Sequence, residues 1–294
     1  MKNNIIISII IPTYNRYNIT KKLITQFINL SDERIEIIVI DDGSTDNTPK
    51  LKEEFKFKNF NYFKIKNSER GFARNYGVSK SSGKYINFFD SDDEPFNNHI
   101  KSAKEVIRKY KYDVFHTSYV IQKKNKIIKY QNFGVLNSKL RKCNILSLNN
   151  VFIKREIALK NKFVEDRKLS GTEDWLLWYK IIKKYKIFGF KTITSKINDN
   201  GKRSSAIENY NSLMERVNYL EIFLNRNNYF QNNLSEMDKN MILSEMNSII
   251  CLYLSFFDQK TKVIKFFFKS LTLHYNTLFR IRNVIILKNI FKFL

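Results

Sequence analysis

The sequence predicts an α/β chain: a doubly wound, mostly parallel sheet followed by a helical C-terminal extension. Three observations predict it. Branched and aromatic apolar runs at 5–11, 35–40, 60–66 and 85–89 alternate with segments of helical spacing. The first two runs are apolar almost throughout, as expected of strands covered on both faces. Three of the four runs end in polar clusters, which a parallel sheet brings to one rim.

Each element has its own local reason. Residues 5–11 are β-branched apart from Ser8, and Pro12 stops the run. Residues 19–30 then carry Ile19, Leu23, Ile24, Phe27 and Ile28 at helical spacing. The second strand, 35–40, runs into Asp41-Asp42-Gly43-Ser44-Thr45-Asp46, and a short helix starts near Thr48. Residues 60–66 form a third strand and 71–79 a third helix. The fourth strand, 85–89, ends in Asp90-Ser91-Asp92-Asp93-Glu94, four acids in five residues. Asn97 is the expected cap of a helix through Lys109 with Ile100, Ala103, Val106 and Ile107 on one face.

After Asp113 the pattern changes. Residues 114–122 and 127–133 flank Lys123-Lys124-Asn125-Lys126 and read as a β-hairpin. Residues 150–153 are a short strand, 173–184 an amphipathic helix, and 187–190 a late strand. From about Ser205 the chain reads as helices joined by Asn-rich turns. The expected division is 1–204 as the catalytic domain, with a nucleotide-binding half 1–110 and an acceptor-side half 111–204, then 205–294 as a basic helical region.

With 294 residues, 43% apolar, the chain buries a sizeable core. Its formal net charge of +24 points to an anionic partner: a membrane surface, a nucleic acid or a phosphorylated substrate. Cys143 and Cys251 stand far apart with no metal-ligand spacing, so free thiols are expected. Neither a signal peptide nor a transmembrane span is legible, and cytoplasmic placement is the expectation. Residues 259–294 hold eight Lys or Arg and no Asp or Glu. There Lys262, Lys265 and Lys269 share a helical face, opposite Ile264, Phe267, Phe268 and Leu271. That composition fits a helix lying on the inner face of an anionic membrane; a bundle helix with a solvated basic face, or a subunit contact, is the alternative.

Carboxylates crowded at the end of a buried strand repel one another and call for a cation. A divalent metal is one answer, since hard oxygen donors suit Mg²⁺ or Mn²⁺; a solvated acidic turn is the other. The sheet rim favours the former, because it gathers Thr13-Tyr14-Asn15, Asp41-Asp42 and Asp90-Ser91-Asp92.

Four motifs occur in order: Ser8-Ile9-Ile10-Ile11-Pro12-Thr13-Tyr14-Asn15-Arg16, then Ile38-Val39-Ile40-Asp41-Asp42-Gly43-Ser44-Thr45-Asp46, then Asp90-Ser91-Asp92-Asp93, then Glu173-Asp174-Trp175. Together they resemble the family 2 glycosyltransferases of GT-A fold, over roughly residues 5–205. The resemblance implies an inverting enzyme that moves a sugar from a nucleoside diphosphate donor, a UDP-sugar above all, to an acceptor hydroxyl in bacterial surface glycan, lipooligosaccharide or capsule synthesis. It places the nucleotide against Pro12, Thr13, Tyr14 and Asn15, and gives base recognition to Asp42 or Asp41. Asp90 and Asp92 match the two acids of the DxD motif, with Asp92 as metal ligand, Asp90 on the ribose or the metal, and Ser91 between them. Arg74 is expected near the nucleotide or the acidic motif, and Asp174 is the general base. Glu173 and Trp175 are the expected sugar contacts. Where many relatives carry a closing loop with a basic or His residue, this chain has Asn200-Gly201-Lys202-Arg203-Ser204-Ser205, so Arg203 is the expected diphosphate contact.

Two other classes compete. A nucleotidyltransferase also sets acids on metal at a sheet rim, but the stretch after the first strand is not a Gly-rich triphosphate cradle. A nucleic-acid-binding protein would use the positive charge, but no binding module is recognisable and the charge is spread along the chain.

Overall fold

The computed structural model describes residues 5–123, 126–199, 210–257 and 259–291. Its first unit is built on one sheet. β1 (Ile7–Thr13) leads into α1 (Tyr17–Leu30), β2 (Ile35–Asp41), the one-turn α2 (Leu51–Glu54), β3 (Phe60–Lys64), α3 (Arg70–Lys80) and β4 (Tyr85–Phe88). β1 pairs in parallel with β2 on one side and β4 on the other, and β2 pairs in parallel with β3. The order β3-β2-β1-β4 means the chain first winds outward from β1 and then returns to its other edge. Loops therefore part between β1 and β4, the switch point where open α/β sheets bind ligands.

The strand composition explains the depth. Every residue of β2 is buried, as is every residue of β1 except half-buried Pro12. α1 buries Thr20, Leu23, Ile24 and Phe27 against this sheet, leaving Ile19 and Ile28 exposed. α3 lies very close: a Cβ on Gly77 would meet Ile10 Cγ2 at 2.4 Å, so only glycine fits there.

Beyond β4 the sheet continues through elements that were harder to read. β5 (Glu94–Pro95) and α4 (His99–Tyr110) precede β6 (Val114–Lys123), which turns back as β7 (Lys126–Tyr130). β8 (Gly134–Val135), α5 (Asn137–Lys142), β9 (Val151–Lys154), α6 (Arg155–Lys160), α7 (Glu173–Ile182) and β10 (Ile187–Asp199) follow. β9 enters antiparallel between β4 and β6, and β10 pairs in parallel with β6. The β6–β7 hairpin matches the expected one, and α4 buries Ile100, Ala103 and Val106.

Three expectations are corrected. The late strand does not stop at Phe190: it runs to Asp199 through two register shifts, and its second half buries Thr194 and Ser195 beside Ile197. The 173–184 helix is not amphipathic; eight of the ten residues of α7 are buried, because it is packed on nearly all sides. Asn97 is not the cap of α4. Asn98 holds that position, and its side chain donates to the Ile193 carbonyl instead of capping.

From Tyr210 on, together with Lys139–Asn144, the described residues form a second, helical unit. It contains α8 (Tyr210–Arg226), α9 (Asn228–Asn233), α10 (Glu236–Leu254), α11 (Lys260–Leu273) and α12 (Ile281–Phe291). α10 is its centre, almost wholly buried, with Ser244 Oγ bonded to the Ser270 carbonyl at 2.7 Å and to Thr277 Oγ1 at 2.6 Å. α11 buries Val263, Phe266 and Ser270, while Ile264 and Phe268 of the expected apolar face stay exposed. No helix among the described residues is long and apolar enough to cross a membrane. Cys143 and Cys251 are free thiols.

Candidate active site

The loops after β1 and β2 are fastened to each other. Asn15 sits at φ 51°, the left-handed region, where asparagine is better tolerated than most residues. Its Oδ1 accepts from the Thr45 and Asp46 amides at 2.8 and 3.3 Å, and its own amide donates to Ser44 Oγ at 2.8 Å. The Arg16 amide donates to Thr48 Oγ1 at 3.3 Å, and the Tyr17 amide to Asp46 Oδ2 at 3.2 Å. Two loops from separate strands thus make one floor at the carboxyl end of the sheet.

Of the expected nucleotide contacts, Thr13 is buried and its hydroxyl meets Thr20 Oγ1 at 2.7 Å, so it ties β1 to α1. Pro12 is half-buried, and Tyr14 is 46% exposed beside the floor. The two aspartates after β2 separate clearly. Asp41 is fully buried; one oxygen accepts from the Ser44 amide at 2.8 Å and the other from the Tyr62 hydroxyl. Burial and that carboxylate hold the Tyr62 phenol well above its ordinary range. Asp42 is half-buried and accepts from the Ser68 amide at 2.8 Å. Gly43 follows at φ +81° with its Cβ position 2.8 Å from the Asn67 nitrogen, so no other residue makes this turn without strain.

The acidic stretch after β4 is divided by its partners. Arg74, from α3, is buried to 1% exposure and donates to Asp90 at 2.8 Å and Glu173 at 3.1 Å, with its guanidinium 5.4 Å from the Phe163 ring centre. The two carboxylates keep this arginine charged despite its burial. Of the two expected positions for Arg74, this is the acidic motif. Across the switch point, Arg16 from the β1 loop meets Asp92 at 2.9 Å and Ser91 Oγ at 3.3 Å. Ser91 itself is 2% exposed. Asp93 is buried between the Asn149 side chain (2.7 Å) and the Asn198 amide (2.9 Å), and burial beside Asp90 and Asp92 pushes its carboxyl up to about 7. Asn149 also accepts from the Asp90 amide, and Asn198 donates to the Asp92 carbonyl, both at 2.9 Å.

Glu173 and Asp174 open α7, and they too part company. Glu173 is 3% exposed, held by Arg74 and by the Gly171 amide at 2.5 Å; a buried arginine facing Asp90 recruits it as second counter-charge. Trp175 is 4% exposed and packs on Tyr179 one turn on. The two expected sugar contacts are therefore both buried in this conformation. Asp174 is half-buried in the first helical turn, where the dipole favours a carboxylate, and its charge reaches Arg74. Arg203 lies outside the described residues.

Three side chains that organise the rim were absent from the expected set. Arg16 lies in the first motif, where the resemblance implies no role for it, although a guanidinium fork suits phosphate. Asn149 and Asn198 give no sequence signal, because they reach the acids only through the antiparallel β9 and the bulged β10. A metal has a suitable donor in Asp92, 33% exposed, with Asp90 two residues before it; Mg²⁺ in particular is commonly held by one or two carboxylates plus substrate phosphates. Among the described residues no group of three or more His, Cys, Asp or Glu is assembled to hold an ion by itself.

An α/β sheet of this order, with its acids at the β1–β4 switch point, is the GT-A architecture of glycosyltransferases. The chain belongs to glycosyl transferase family 2, whose family profile matches residues 8–166. An uncharacterized glycosyltransferase of Rickettsia bellii is 32% identical over 234 residues, 77% of this chain and 32% of its own length. The minor teichoic acid biosynthesis protein GgaA of Bacillus subtilis is 43% identical over 104 residues, 33% of this chain and 23% of its own. The chain thus spans less than half the length of such curated relatives. Among solved structures, S. aureus TarS 1–349 in complex with UDP-GlcNAc superposes with TM-score 0.62 at 19% identity, covering 92% of this chain and 81% of that one. The mannosyltransferase PcManGT of Pyrobaculum calidifontis, in complex with GDP-Man and Mn²⁺, gives TM-score 0.55 at 14% identity over 98% of this chain and 85% of that one. Both likenesses are of fold; the first of those structures holds UDP-GlcNAc, the second GDP-Man and Mn²⁺.

Proposed function

We propose that the chain transfers a glycosyl group from a nucleoside diphosphate sugar to an acceptor hydroxyl with inversion at the anomeric carbon. The observation that carries this reading is the division of carboxylates at one rim: Asp41, Glu173 and Asp93 are buried and bonded, whereas Asp42, Asp92 and Asp174 are partly open. Asp42 accepts from the base, with Tyr14 flanking it; an imide N–H suits uracil, and a UDP-sugar is the favoured donor. Asp92, supported by Asp90, holds Mn²⁺ or Mg²⁺. When bound, that cation neutralises charge on the diphosphate leaving group. Asp174 takes the acceptor hydroxyl proton as that oxygen bonds to the anomeric carbon and the bond from that carbon to the diphosphate breaks.

The acceptor is a bacterial surface glycan or its lipid-linked precursor. The relative that functions in teichoic acid synthesis supports this class. Contact with the inner face of an anionic membrane is part of the same reading. It is supported by the exposed Phe268 (60%), Phe279 (80%) and Val284 (66%) in a segment with no acid.

Asp174→Asn tests the chemistry. Transfer from a UDP-sugar falls by about 10²–10⁴-fold while UDP binding stays within about twofold. Undiminished turnover would remove Asp174 from the base role. For the membrane, deleting 259–294 abolishes salt-sensitive sedimentation with phosphatidylglycerol vesicles; equal sedimentation of both forms would exclude that surface.

A further inference from the structure

Two arginines serve the acidic stretch, and they are held in opposite ways. Arg74 has a side chain 2% exposed, two carboxylate partners and an aromatic ring at its face, so its charge is fixed in place. Arg16 has a side chain 39% exposed, and its carboxylate partner Asp92 is 33% exposed. An ion pair between two wet groups is weak and exchanges readily. The backbone beneath Arg16 does not share that freedom. It is pinned on Thr48 Oγ1, next to an Asn15 clamped on the β2 loop. The guanidinium can therefore swing while its anchor stays still.

The position of Arg16 gives the swing a purpose. It reaches from the β1 loop across the switch point, so its guanidinium stands at the mouth of the crevice where a diphosphate would lie. Asp42, Asp90, Asp92 and Asp174 place carboxylates at that end of the sheet. A diphosphate adds more negative charge, and a guanidinium fork matches phosphate oxygens well. Asp92 cannot give the same oxygen to Arg16 and to a cation at once.

Resting on the nucleotide-sugar reading, we propose that Arg16 is a displaceable counter-ion. It neutralises Asp92 while no divalent cation is present, yields Asp92 when one binds, and turns its guanidinium onto the diphosphate oxygens. Arg16 is thus a positioning and substrate-binding residue that couples cation loading to nucleotide loading.

Titration calorimetry on the full chain separates the steps, with wild type, Arg16→Ala and Arg16→Lys each given MnCl₂ alone and then UDP or GDP with saturating MnCl₂. Arg16→Ala is expected to bind Mn²⁺ alone about threefold to tenfold more tightly than wild type, because Asp92 has lost its competitor. The same variant is expected to bind the nucleotide with Mn²⁺ about tenfold more weakly, a loss typical of one charge-assisted phosphate contact. Arg16→Lys, which keeps the charge without the fork, falls between the two on both measures. Mn²⁺ affinity that is unchanged or weaker in Arg16→Ala overturns the competition, and unchanged nucleotide affinity overturns the transfer to diphosphate. If wild type binds neither nucleotide with Mn²⁺, the nucleotide-sugar reading itself fails and takes the inference with it.

Discussion

The two sides of the acidic loop use the same pair of residue types and get different results. On the α3 side, a buried Arg74 is shared by buried Glu173 and by Asp90, whose side chain is 35% exposed, so the contrast lies in the arginine. On the β1 side, Arg16 and Asp92 meet at a similar distance but in water. Burial decides what each pair is for. A guanidinium out of water cannot lose a carboxylate without leaving a bare charge, so the Arg74 triad fixes the loop and the start of α7 in one arrangement. A hydrated pair gives up its partner cheaply, so Asp92 remains available. One short stretch, Asp90-Ser91-Asp92, is thereby anchored at its first acid and open at its last.

The comparison breaks most visibly at Arg74. Arg74→Met keeps much of the side-chain volume but removes the one cation that Asp90 and Glu173 share, leaving Glu173 the more distant Arg70 at 3.9 Å. A loss of about 3–5 kcal/mol in unfolding free energy is expected, the usual result of removing one partner of a buried pair. Urea unfolding followed by far-UV circular dichroism measures it. A loss under about 1 kcal/mol would mean that the triad is no anchor, and the contrast with Arg16 would collapse.

A second, smaller test uses the buried polar network under the same rim. His99 is fully buried, with Nε2 3.1 Å from Asn87 Oδ1 and Nδ1 3.0 Å from Thr194 Oγ1. Burial depresses it to about 3, and His116 likewise. Above pH 6.5 both histidines are neutral in the folded and unfolded chains. As pH falls below 6.5 the unfolded chain takes up protons that the folded chain refuses, so stability falls with pH. From pH 7 to 5.5 the loss is about 1 kcal/mol per histidine. Asp93, raised to about 7, works in the opposite direction in wild type and variant alike, so His99→Gln, whatever its absolute stability, should lose about 1 kcal/mol less than wild type between pH 7 and 5.5. A slope equal to wild type would show that His99 accepts a proton in the fold.

These cases also show what the sequence made legible. The β1–β4 half could be read because its strands are long aliphatic runs, and because parallel winding alone carries their polar ends to one rim. The first three motifs end on loops whose positions follow from that winding; the fourth opens α7, outside it. The second half resisted for a physical reason. β9 is a four-residue strand entering antiparallel, and β10 is interrupted by two bulges and lined with Thr and Ser. The first is legible as a strand but its partners are not, and the second mixes polar with apolar residues, yet Asn149, in the turn before β9, and Asn198 of β10 reach the acids. Within motifs, residue type was legible and burial was not. Asp41 and Asp42 look alike in the chain, as do Glu173 and Asp174. Only the fold shows that one of each pair is consumed by neighbours: Tyr62 and Ser44 in the first case, Arg74 and Gly171 in the second.

The smallest effect is the one that sharpens the contrast. Arg16→Ala should change unfolding free energy by no more than about 0–1 kcal/mol, the range for exposed ion pairs. Its main-chain bond to Thr48 does not depend on the side chain, so the floor made with the β2 loop persists. The pair is also screened by salt, whereas the buried Arg74–Glu173 pair is screened much less. Raising NaCl from about 0.05 to 0.5 M should therefore shrink the difference between Arg16→Ala and wild type while leaving that between Arg74→Met and wild type nearly constant. If both differences moved together with salt, the two arginines would share one electrostatic environment, and the division of the loop into an anchored and an open acid would not hold.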